Sequence, residues 1–431
     1  MIKSLSSSIV HGSMKSSAVL LLTLLLQTGS GQGYKWPTDA STALTSSFGE
    51  FRPRHYHAAI DIKTWNRTGY RIFAIDDGYI MRARISAFGY GKALYLKLKD
   101  GNIVVYAHLS NFWPELESYM DNYRREKRIY EADLHFTSGQ FPVKKGQTLG
   151  RTGRTGIGYP HLHFEIRNPN NMPVNPLQYY PNTIKDNIPP RLYEVALFPH
   201  DHKSTLNLKT DTLFYPLNGD HTVSLRDTLL LSGKICLALK VYDQADGVSN
   251  RFSFYQSRMW IDDSLVYSVK YDIFSYALSY KVELDKNFSQ WRKGNGIFHN
   301  YYRHRLNNLP HYGSTPGEGG IINTALLTEG IHDLKIEITD FAGNISLFEM
   351  SFFSGEIPVL HYDLLRWLEN DLYLRLQTSE KMDSILVQSK SKDGKWTSEK
   401  INRSVSGPTL NETYQYTFSV SPSQPSQTEW L

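Results

Sequence analysis

The stretch Gly158–Arg167, "GYPHLHFEIR", places two histidines one residue apart in a run of residues that favour β-strands. Residues i and i+2 of a strand point to the same face of a sheet, so His161 and His163 would stand side by side while Leu162 faces the other way. Two neighbouring imidazoles can bind one metal ion, or one can bind while the other transfers protons. The stretch therefore predicts a sheet with a histidine site on one face.

The composition predicts a mainly β protein with several domains. The chain has 431 residues, of which 40% are hydrophobic and 21% are charged, and 28 of them are Tyr. Short runs rich in Val, Ile, Thr and Tyr recur between turn residues, and such runs are typical of strands. One example is residues 91–110, where the Asp100-Gly101 pair separates two alternating runs and predicts an antiparallel hairpin.

The N-terminus has the pattern of a secretory signal peptide, which we assign to residues 1–33. An apolar run from Ala18 to Leu26 follows a lysine and precedes small residues, with Met14 as an alternative start. The run is far shorter than the roughly 20 residues that span a bilayer, so the alternative is a buried helix of the mature fold. No cysteine follows the run, which argues against a lipid anchor. We expect an exported chain without a transmembrane segment.

Charge and cysteine content restrict the partners and the compartment. The formal net charge is +5, and loss of two lysines with the signal peptide leaves 5 − 2 = +3, which is too small to indicate a nucleic-acid partner. Cys236 is the single cysteine, so no intrachain disulfide can form, and its apolar surroundings predict a buried thiol. These features are compatible with a bacterial periplasm.

Two further segments carry groups that bind metals. Residues 48–64, "FGEFRPRHYHAAIDIKT", hold His57 and Asp61 four positions apart, and "VVYAHLS" at 104–110 holds His108. Zinc binds imidazole nitrogen and carboxylate oxygen, and a catalytic zinc keeps one position open for water. Four residues of straight strand span roughly 13 Å, so His57 and Asp61 can share a metal only if the chain bends. We therefore expect His57 in a loop and Asp61 at the start of a strand.

The ordered set H-x-x-x-D, Y-A-H-L-S, G-x-T-G and H-L-H-F-E resembles the lysostaphin/LytM-type zinc endopeptidases, which cut peptide bridges of peptidoglycan. The resemblance covers about residues 44–180. It implies Zn²⁺ held by His57, Asp61 and His163, with His108 and His161 as the catalytic histidines. Glu165 shares the strand face of His163. It could be a base, a group that orients His163, or an ion-paired or surface carboxylate.

The sequence departs from the family pattern in two places. Ala59 stands where the family usually has Gly, which would matter if that position needed a positive φ. An insertion at 111–141 follows the Y-A-H-L-S motif, and residues 114–134 have the composition of a helix that begins near Pro114. We place this helix at the rim of the groove. It could narrow access or act as a lid, or it could be a solvated decoration.

The remaining chain predicts further β domains. We expect a LytM-type peptidase domain at 34–185, an immunoglobulin-like β-sandwich at 186–355, and a small β region at 356–431. Within the sandwich, "DFAGNIS" at 340–346 resembles a hairpin turn of bacterial immunoglobulin-like domains. A loop from about 286 to 320 carries His299, His304 and His311 without ligand spacing, so we expect these three histidines to be exposed.

The resemblance implies an exported zinc metalloendopeptidase that hydrolyses peptide cross-links of peptidoglycan in the periplasm or cell envelope of a bacterium. One alternative is a LytM-like scaffold that binds the wall or activates another hydrolase. A second is a surface adhesion protein that uses the sandwich. The partner implied is a peptidoglycan peptide, with a further protein or wall contact through the sandwich. Neither the bond that is cut nor the identity of the general base follows from the sequence.

Overall fold

The computed structural model describes residues 33–355 and, beyond them, the strands at 361–368, 371–378, 388–390, 396–398, 401–406, 414–420 and 429–430. The predicted signal peptide lies outside the described residues except for Gly33. Within the described part of the chain, no helix is long and apolar enough to cross a membrane.

The first sheet has eleven strands, and its strands pair antiparallel. Its main path runs in the order Leu44–Ser46, Ile60–Lys63, His161–Arg167, Ile103–Phe112, Lys92–Leu98, Gly78–Ile85 and Pro142–Val143. The strands Arg71–Phe73, Ala132–His135, Thr148–Thr152 and Pro173–Val174 pair along its sides. Phe51–Arg52 and His55–Tyr56 form a separate two-stranded hairpin. The hairpin predicted around Asp100-Gly101 joins two central strands, and Gly101 has a φ of +91°.

The two faces of this sheet differ in the way that the alternating sequence predicts. Leu162, Phe164 and Ile166 point into the main apolar core of the first sheet. The residues between them, His163 and Glu165, point to the opposite face, and both are buried. The central strand therefore stabilises the fold through one face and presents polar groups on the other.

The insertion at 111–141 contains a helix at Pro114–Lys127, as predicted. Proline at the first position, acidic residues in the first turn and basic residues in the last turn all favour a helix there. Leu116 and Met120 are fully buried against the first core. The helix ends earlier than residue 134, because Ala132–His135 pairs as a strand with Gly78–Ile85.

Residues 191–354 form two sheets that share one apolar core, which gives a β-sandwich. The five-stranded sheet contains Leu213–Asp220, Arg191–Pro199, Lys234–Tyr242, His299–Asn300 and Ile322–Asn323. The seven-stranded sheet contains Thr205–Leu206, Leu229–Ser232, Ile345–Ser354, Gly330–Thr339, Gln256–Ile261, Ser264–Lys270 and Thr222–Ser224. Two of its pairings, both to Ile345–Ser354, are parallel. The immunoglobulin-like assignment of this sandwich stays a prediction.

Short helices complete the described residues. The α-helices of this region are Val282–Asp285 and Phe288–Arg292, and the 3-10 helices of the described chain are Pro176–Tyr179, Tyr276–Lys281, Pro310–Tyr312 and Thr324–Leu326. The strand that follows Pro189-Pro190 begins at Arg191, and the predicted turn at 340–346 joins Gly330–Thr339 to Ile345–Ser354.

The apolar cores cross the domain boundary expected near residue 185. Phe48, Phe51 and Tyr56 belong to the core of the sandwich, whereas Ala245 and Phe252 belong to the core of the first sheet. Burial of such side chains contributes about 1.5–3 kcal/mol each. The two regions therefore stabilise each other through exchanged apolar side chains.

The fold class, mainly antiparallel β with a helical insertion, is confirmed, and the region after 355 forms strands as expected.

Candidate metal centre

The register of the first sheet brings together residues that are about a hundred positions apart. His163 pairs directly with Asp61 on one side and with Ala107 on the other. Side chains of directly paired residues lie on the same face with Cβ atoms about 4.5–5.5 Å apart. His57 lies in the segment between the strands His55–Tyr56 and Ile60–Lys63. The expected bend between His57 and Asp61 is therefore present.

Three atoms form a compact triangle at this point. The distance from His57 Nε2 to Asp61 Oδ1 is 3.2 Å, that from His163 Nδ1 to Asp61 Oδ1 is 3.0 Å, and that from His57 Nε2 to His163 Nδ1 is 3.3 Å. Donors about 2.0–2.1 Å from a tetrahedral zinc are about 3.3 Å apart. The donor set and its spacing therefore fit three corners of a zinc site.

Hydrogen bonds to the other ring nitrogens leave these two imidazoles ready to bind. His57 Nδ1 is 2.9 Å from the carbonyl oxygen of Ser47, and His163 Nε2 is 2.9 Å from Glu165 Oε1. Both partners are acceptors, so these nitrogens carry the protons and donate. His57 Nε2 and His163 Nδ1 then face the triangle, where His163 Nδ1 shares its proton with Asp61 until a metal displaces it. Partners of this kind fix the tautomer and the ring orientation of metal-binding histidines.

His108 and His161 stand beside the triangle with the same arrangement. His108 Nδ1 is 2.9 Å from the carbonyl oxygen of Thr155, and His161 Nδ1 is 2.6 Å from that of Tyr159. Their ring centroids are 4.6 Å apart, and His161 Nε2 is 3.5 Å from Asp61 Oδ1. The structure thus brings all five predicted site residues together.

The backbone at His108 departs from a regular strand. Its φ is +62°, a left-handed value that is uncommon for a residue other than Gly. The pairing with the neighbouring strand slips between Lys92 and Leu94, so His108 lies at an irregularity in the ladder. Such an irregularity re-aims a side chain, and here it turns the imidazole toward the other histidines. Ala59 is not among the described residues with positive φ, so the departure from Gly costs no backbone strain.

Glu165 is the centre of a second layer of contacts. It is fully buried and accepts hydrogen bonds from His163, from Arg167 Nε at 2.7 Å, from Tyr276 at 2.6 Å, and from Tyr90. Of the alternatives open from the sequence, the structure supports a carboxylate that is paired with Arg167 and also orients His163. Burial alone would raise its pKa, but Arg167 and His163 outweigh burial and lower the pKa of Glu165 to about 2.

The ionisation of the site couples metal binding to the release of a proton. Burial lowers the pKa of His163, but its contacts with Asp61 and Glu165 prevail and raise that pKa to about 9. The pKa of Asp61 lies well below its usual range, because His57 and His163 outweigh burial. Burial, reinforced by the neighbouring histidines, lowers the pKa of His108 to about 4. A metal must therefore displace one proton from His163, whereas His108 is neutral at neutral pH.

The β-sandwich contributes to this site, which motif matching did not reveal. Tyr276, in the 3-10 helix Tyr276–Lys281, reaches Glu165 across 111 positions of sequence. The strand before His57 is fastened in the same way, since the Tyr56 amide donates to Ser279 Oγ at 2.8 Å. The Tyr56 ring lies 5.3 Å from that of Phe274. The sandwich therefore holds both a metal-binding loop and the layer behind His163.

The expectation that the sandwich histidines are exposed is wrong for two of them. His299 and His311 are both 4% exposed. Lys286 is buried with them, pairs with Asp285 at 2.7 Å and contacts His299 Nδ1 at 2.8 Å. Burying a charged lysine requires such partners, and His299 is one of them. Both histidines lie in the interior of the sandwich, outside the candidate metal centre.

Asp61, His108, His161 and His163 lie on strands of the first sheet and His57 reaches them from an adjacent segment, which is the arrangement implied by the resemblance to LytM-type peptidases. No family model matches the chain. A curated relative, the lipoprotein NlpD/LppB homolog of Pseudomonas aeruginosa, is 30% identical over 149 residues, which are 35% of this chain and 40% of that protein. The predicted resemblance to the LytM-type family is confirmed by this relative, of which the chain spans less than half the length.

A solved structure is also similar to part of the chain. It is the catalytic domain, as a point mutant, of the prophage-encoded M23 protein EnpA from Enterococcus faecalis. The identity is 26%, the match covers 33% of this chain and 92% of that chain, and the TM-score is 0.23.

Proposed function

We propose that the chain is an exported zinc-dependent metalloendopeptidase that hydrolyses peptide cross-links of bacterial peptidoglycan. The peptidase unit is residues 34–185, and the sandwich at 186–355 supports its site. The observation that carries the proposal is the triangle of His57, Asp61 and His163, in which both imidazoles point a ring nitrogen at the same carboxylate oxygen and His163 becomes a ligand on losing one proton.

The five residues divide into a binding set and a proton-transfer set. His57 Nε2, Asp61 Oδ1 and His163 Nδ1 would hold Zn²⁺. Bound Zn²⁺ polarises a peptide carbonyl and acidifies a water molecule. His108 and His161 lie beside the triangle, with His161 Nε2 at 3.5 Å from Asp61 Oδ1.

The tautomers assign the first task of these two histidines. Since Nδ1–H of each ring donates to a backbone carbonyl, each Nε2 carries a lone pair and accepts a proton. After taking a proton from water, the same nitrogen becomes a donor to the leaving amine. We assign the general base to His161, because its side chain is 16% exposed and its Nε2 faces Asp61. His108 is more deeply buried and holds its neutral form at neutral pH.

The loops around the histidines offer a surface for a peptide. Phe88, Ile157 and Tyr159 are 79%, 62% and 78% exposed. The Ile157 amide donates to the carbonyl oxygen of Gly89 at 3.3 Å, so the two loops lie side by side. Tyr159 is also the residue whose carbonyl orients His161. These apolar side chains would contact the substrate on either side of the bond that is cut.

Metal content and product analysis test the proposal. We expect one zinc per chain and release of shorter muropeptides from purified sacculi, detected by mass spectrometry. His163→Ala should abolish both, whereas His55→Ala, an exposed neighbour outside the triangle, should change neither. A chain that binds sacculi but neither holds zinc nor releases fragments would be the wall-binding scaffold instead.

A further inference from the structure

A second cluster of ionisable groups lies away from the histidines, where the first sheet meets the sandwich. Asp186, Asp243 and Asp340 each offer a carboxylate oxygen, and these oxygens lie within 4.8 Å of one another. Asp186 is in the connection between the two regions. Asp243 directly follows the strand Lys234–Tyr242, and Asp340 directly follows Gly330–Thr339. The cluster therefore joins the connection to both sheets of the sandwich.

The charge of this cluster has no basic partner among the described residues. None of the three carboxylates forms an ion pair there with Lys, Arg or His. Asp243 and Asp340 are only 5% and 1% exposed. Bringing buried carboxylates this close together is unfavourable unless protons or a cation neutralise them.

One carboxylate oxygen in the cluster is buried without a partner. Asp243 Oδ1 has no hydrogen-bond partner, although backbone and side-chain donors satisfy the other two aspartates. Asp340 Oδ1 accepts from the amides of Gly343 and Asn344 at 2.7 and 2.9 Å. Asp186 Oδ1 accepts from the amide of Ile188 at 3.0 Å. A buried, unpartnered oxygen beside two other carboxylates is positioned to be a ligand of a cation.

The site is also reachable from a cavity. Asp186 and Asp243 line a cavity of about 280 Å³, together with Asn182, Ala245 and Phe341. This space admits an ion with the water molecules that would complete its coordination shell.

We propose that Asp186, Asp243 and Asp340 bind one Ca²⁺ that fastens the connection to both sheets of the sandwich. Ca²⁺ takes oxygen ligands at about 2.3–2.6 Å, so two ligands of one ion lie no more than about 5 Å apart, and the three oxygens here, all within 4.8 Å of one another, meet that limit. The all-oxygen donor set disfavours zinc, which the histidine site accommodates. With three carboxylates and the remaining ligands from water, we expect a Kd on the order of 10⁻⁴–10⁻³ M, as in extracellular modules.

The experiment titrates Ca²⁺ alone into the exported chain, residues 34–431, after chelation and reloading with one equivalent of Zn²⁺. Calorimetry should show one Ca²⁺ per chain, and Ca²⁺ should raise the melting temperature. Asp243→Asn and the more exposed Asp186→Asn should each weaken binding at least tenfold. Asp211→Asn, an exposed carboxylate outside the cluster, should bind as the wild type does.

Several results would overturn the assignment. Failure of millimolar Ca²⁺ to bind, or tighter binding of Mg²⁺ than of Ca²⁺, would exclude a calcium site. Loss of Ca²⁺ binding in His163→Ala would place the ion at the histidines, whereas retention there separates this site from the proposed peptidase centre. If protons neutralise the cluster instead, Asp243→Asn will raise the melting temperature equally with and without Ca²⁺.

Discussion

Replacing Tyr276 by Phe removes one hydroxyl from the layer behind the metal centre and leaves the ring in place. That hydroxyl donates to Glu165 Oε2 at 2.6 Å, and Glu165 in turn holds the proton-bearing nitrogen of His163. A hydrogen bond to a buried charged group contributes about 1.5–3 kcal/mol. We therefore expect Tyr276→Phe to lower the free energy of unfolding by about that amount.

Tyr276→Phe should lower the zinc affinity by less than the loss of a residue that directly contacts His163 would. Removing a group that directly contacts a metal-binding histidine typically costs 10–100-fold in affinity or activity. Tyr276 acts one contact further out, and Glu165 keeps Tyr90, Arg167 and His163 as partners. We expect a decrease in zinc affinity of less than about tenfold.

The pH dependence of zinc release distinguishes two roles for Tyr276. It either positions His163 through Glu165, or it only holds the sandwich against the first sheet. Glu165 has a pKa of about 2 in the folded chain against an ordinary value of 4.5, so its contribution to stability is present above pH 4.5 and is lost as the pH falls toward 2. The hydrogen bond from Tyr276 helps to lower that pKa, so the variant should release zinc at a higher pH during acidification. Zinc occupancy measured between pH 7 and pH 3, with urea unfolding at pH 7, gives both quantities.

The matched control is Tyr280→Phe, in the same 3-10 helix, where Tyr280 is 58% exposed. It should change neither zinc release nor stability. If Tyr276→Phe loses stability while its zinc-release curve overlays that of the wild type, Tyr276 only fastens the sandwich and the positioning argument is refuted.

Three other perturbations test separate parts of the structure. In the zinc-free chain, the pKa of His163 is about 9 when folded against an ordinary value of 6.5, so the stability that it contributes is full below pH 6.5 and is lost as the pH rises toward 9. A free energy of unfolding, measured in urea, that does not change over this pH range would contradict the ion pairs of His163 with Asp61 and Glu165. Leu116→Ala removes a fully buried side chain, so it should lower the free energy of unfolding by about 2–5 kcal/mol in the same urea melts. A change below about 1 kcal/mol would mean that the helix Pro114–Lys127 packs only loosely against the first core. Gly91→Ala places a Cβ 2.3 Å from the carbonyl carbon of Thr155, whose oxygen orients His108, so the proposed hydrolysis should fall while zinc is retained. Gly89→Ala, which also has positive φ but meets no atom within 4 Å, is its control, and equal losses in both would point to backbone strain alone.

Local patterns in the sequence were sufficient to predict that His57, Asp61 and His163 come together. The alternation around Leu162 fixed which face carries His163, and the distance along a strand required the bend after His57. Both arguments depend only on the geometry of a strand, which neighbouring residues determine. The paired strands then place Asp61 opposite His163, as the shared-metal hypothesis required.

The contribution of the sandwich could not be predicted in this way. Tyr276 and Glu165 are far apart in sequence, and no periodicity links them. The burial of His299 depends likewise on Lys286, whose ion pair with Asp285 needs partners inside an apolar core, and that of His311 on the rings of Tyr56, Tyr271 and Tyr312. A polar residue in a loop-like stretch has the composition of a surface residue, and only the assembled fold shows that it lies inside.

The exchange of Phe48, Phe51 and Tyr56 into the neighbouring core bears on how the protein should be prepared. A fragment cut after residue 185 would expose these three rings to water, free the loop that carries His57 and remove a donor from Glu165. Such a fragment would aggregate or lose metal even though every motif residue is still in it. Assays of this chain therefore need the intact pair of regions, and inactivity of the shorter piece would say nothing about the chemistry of the whole.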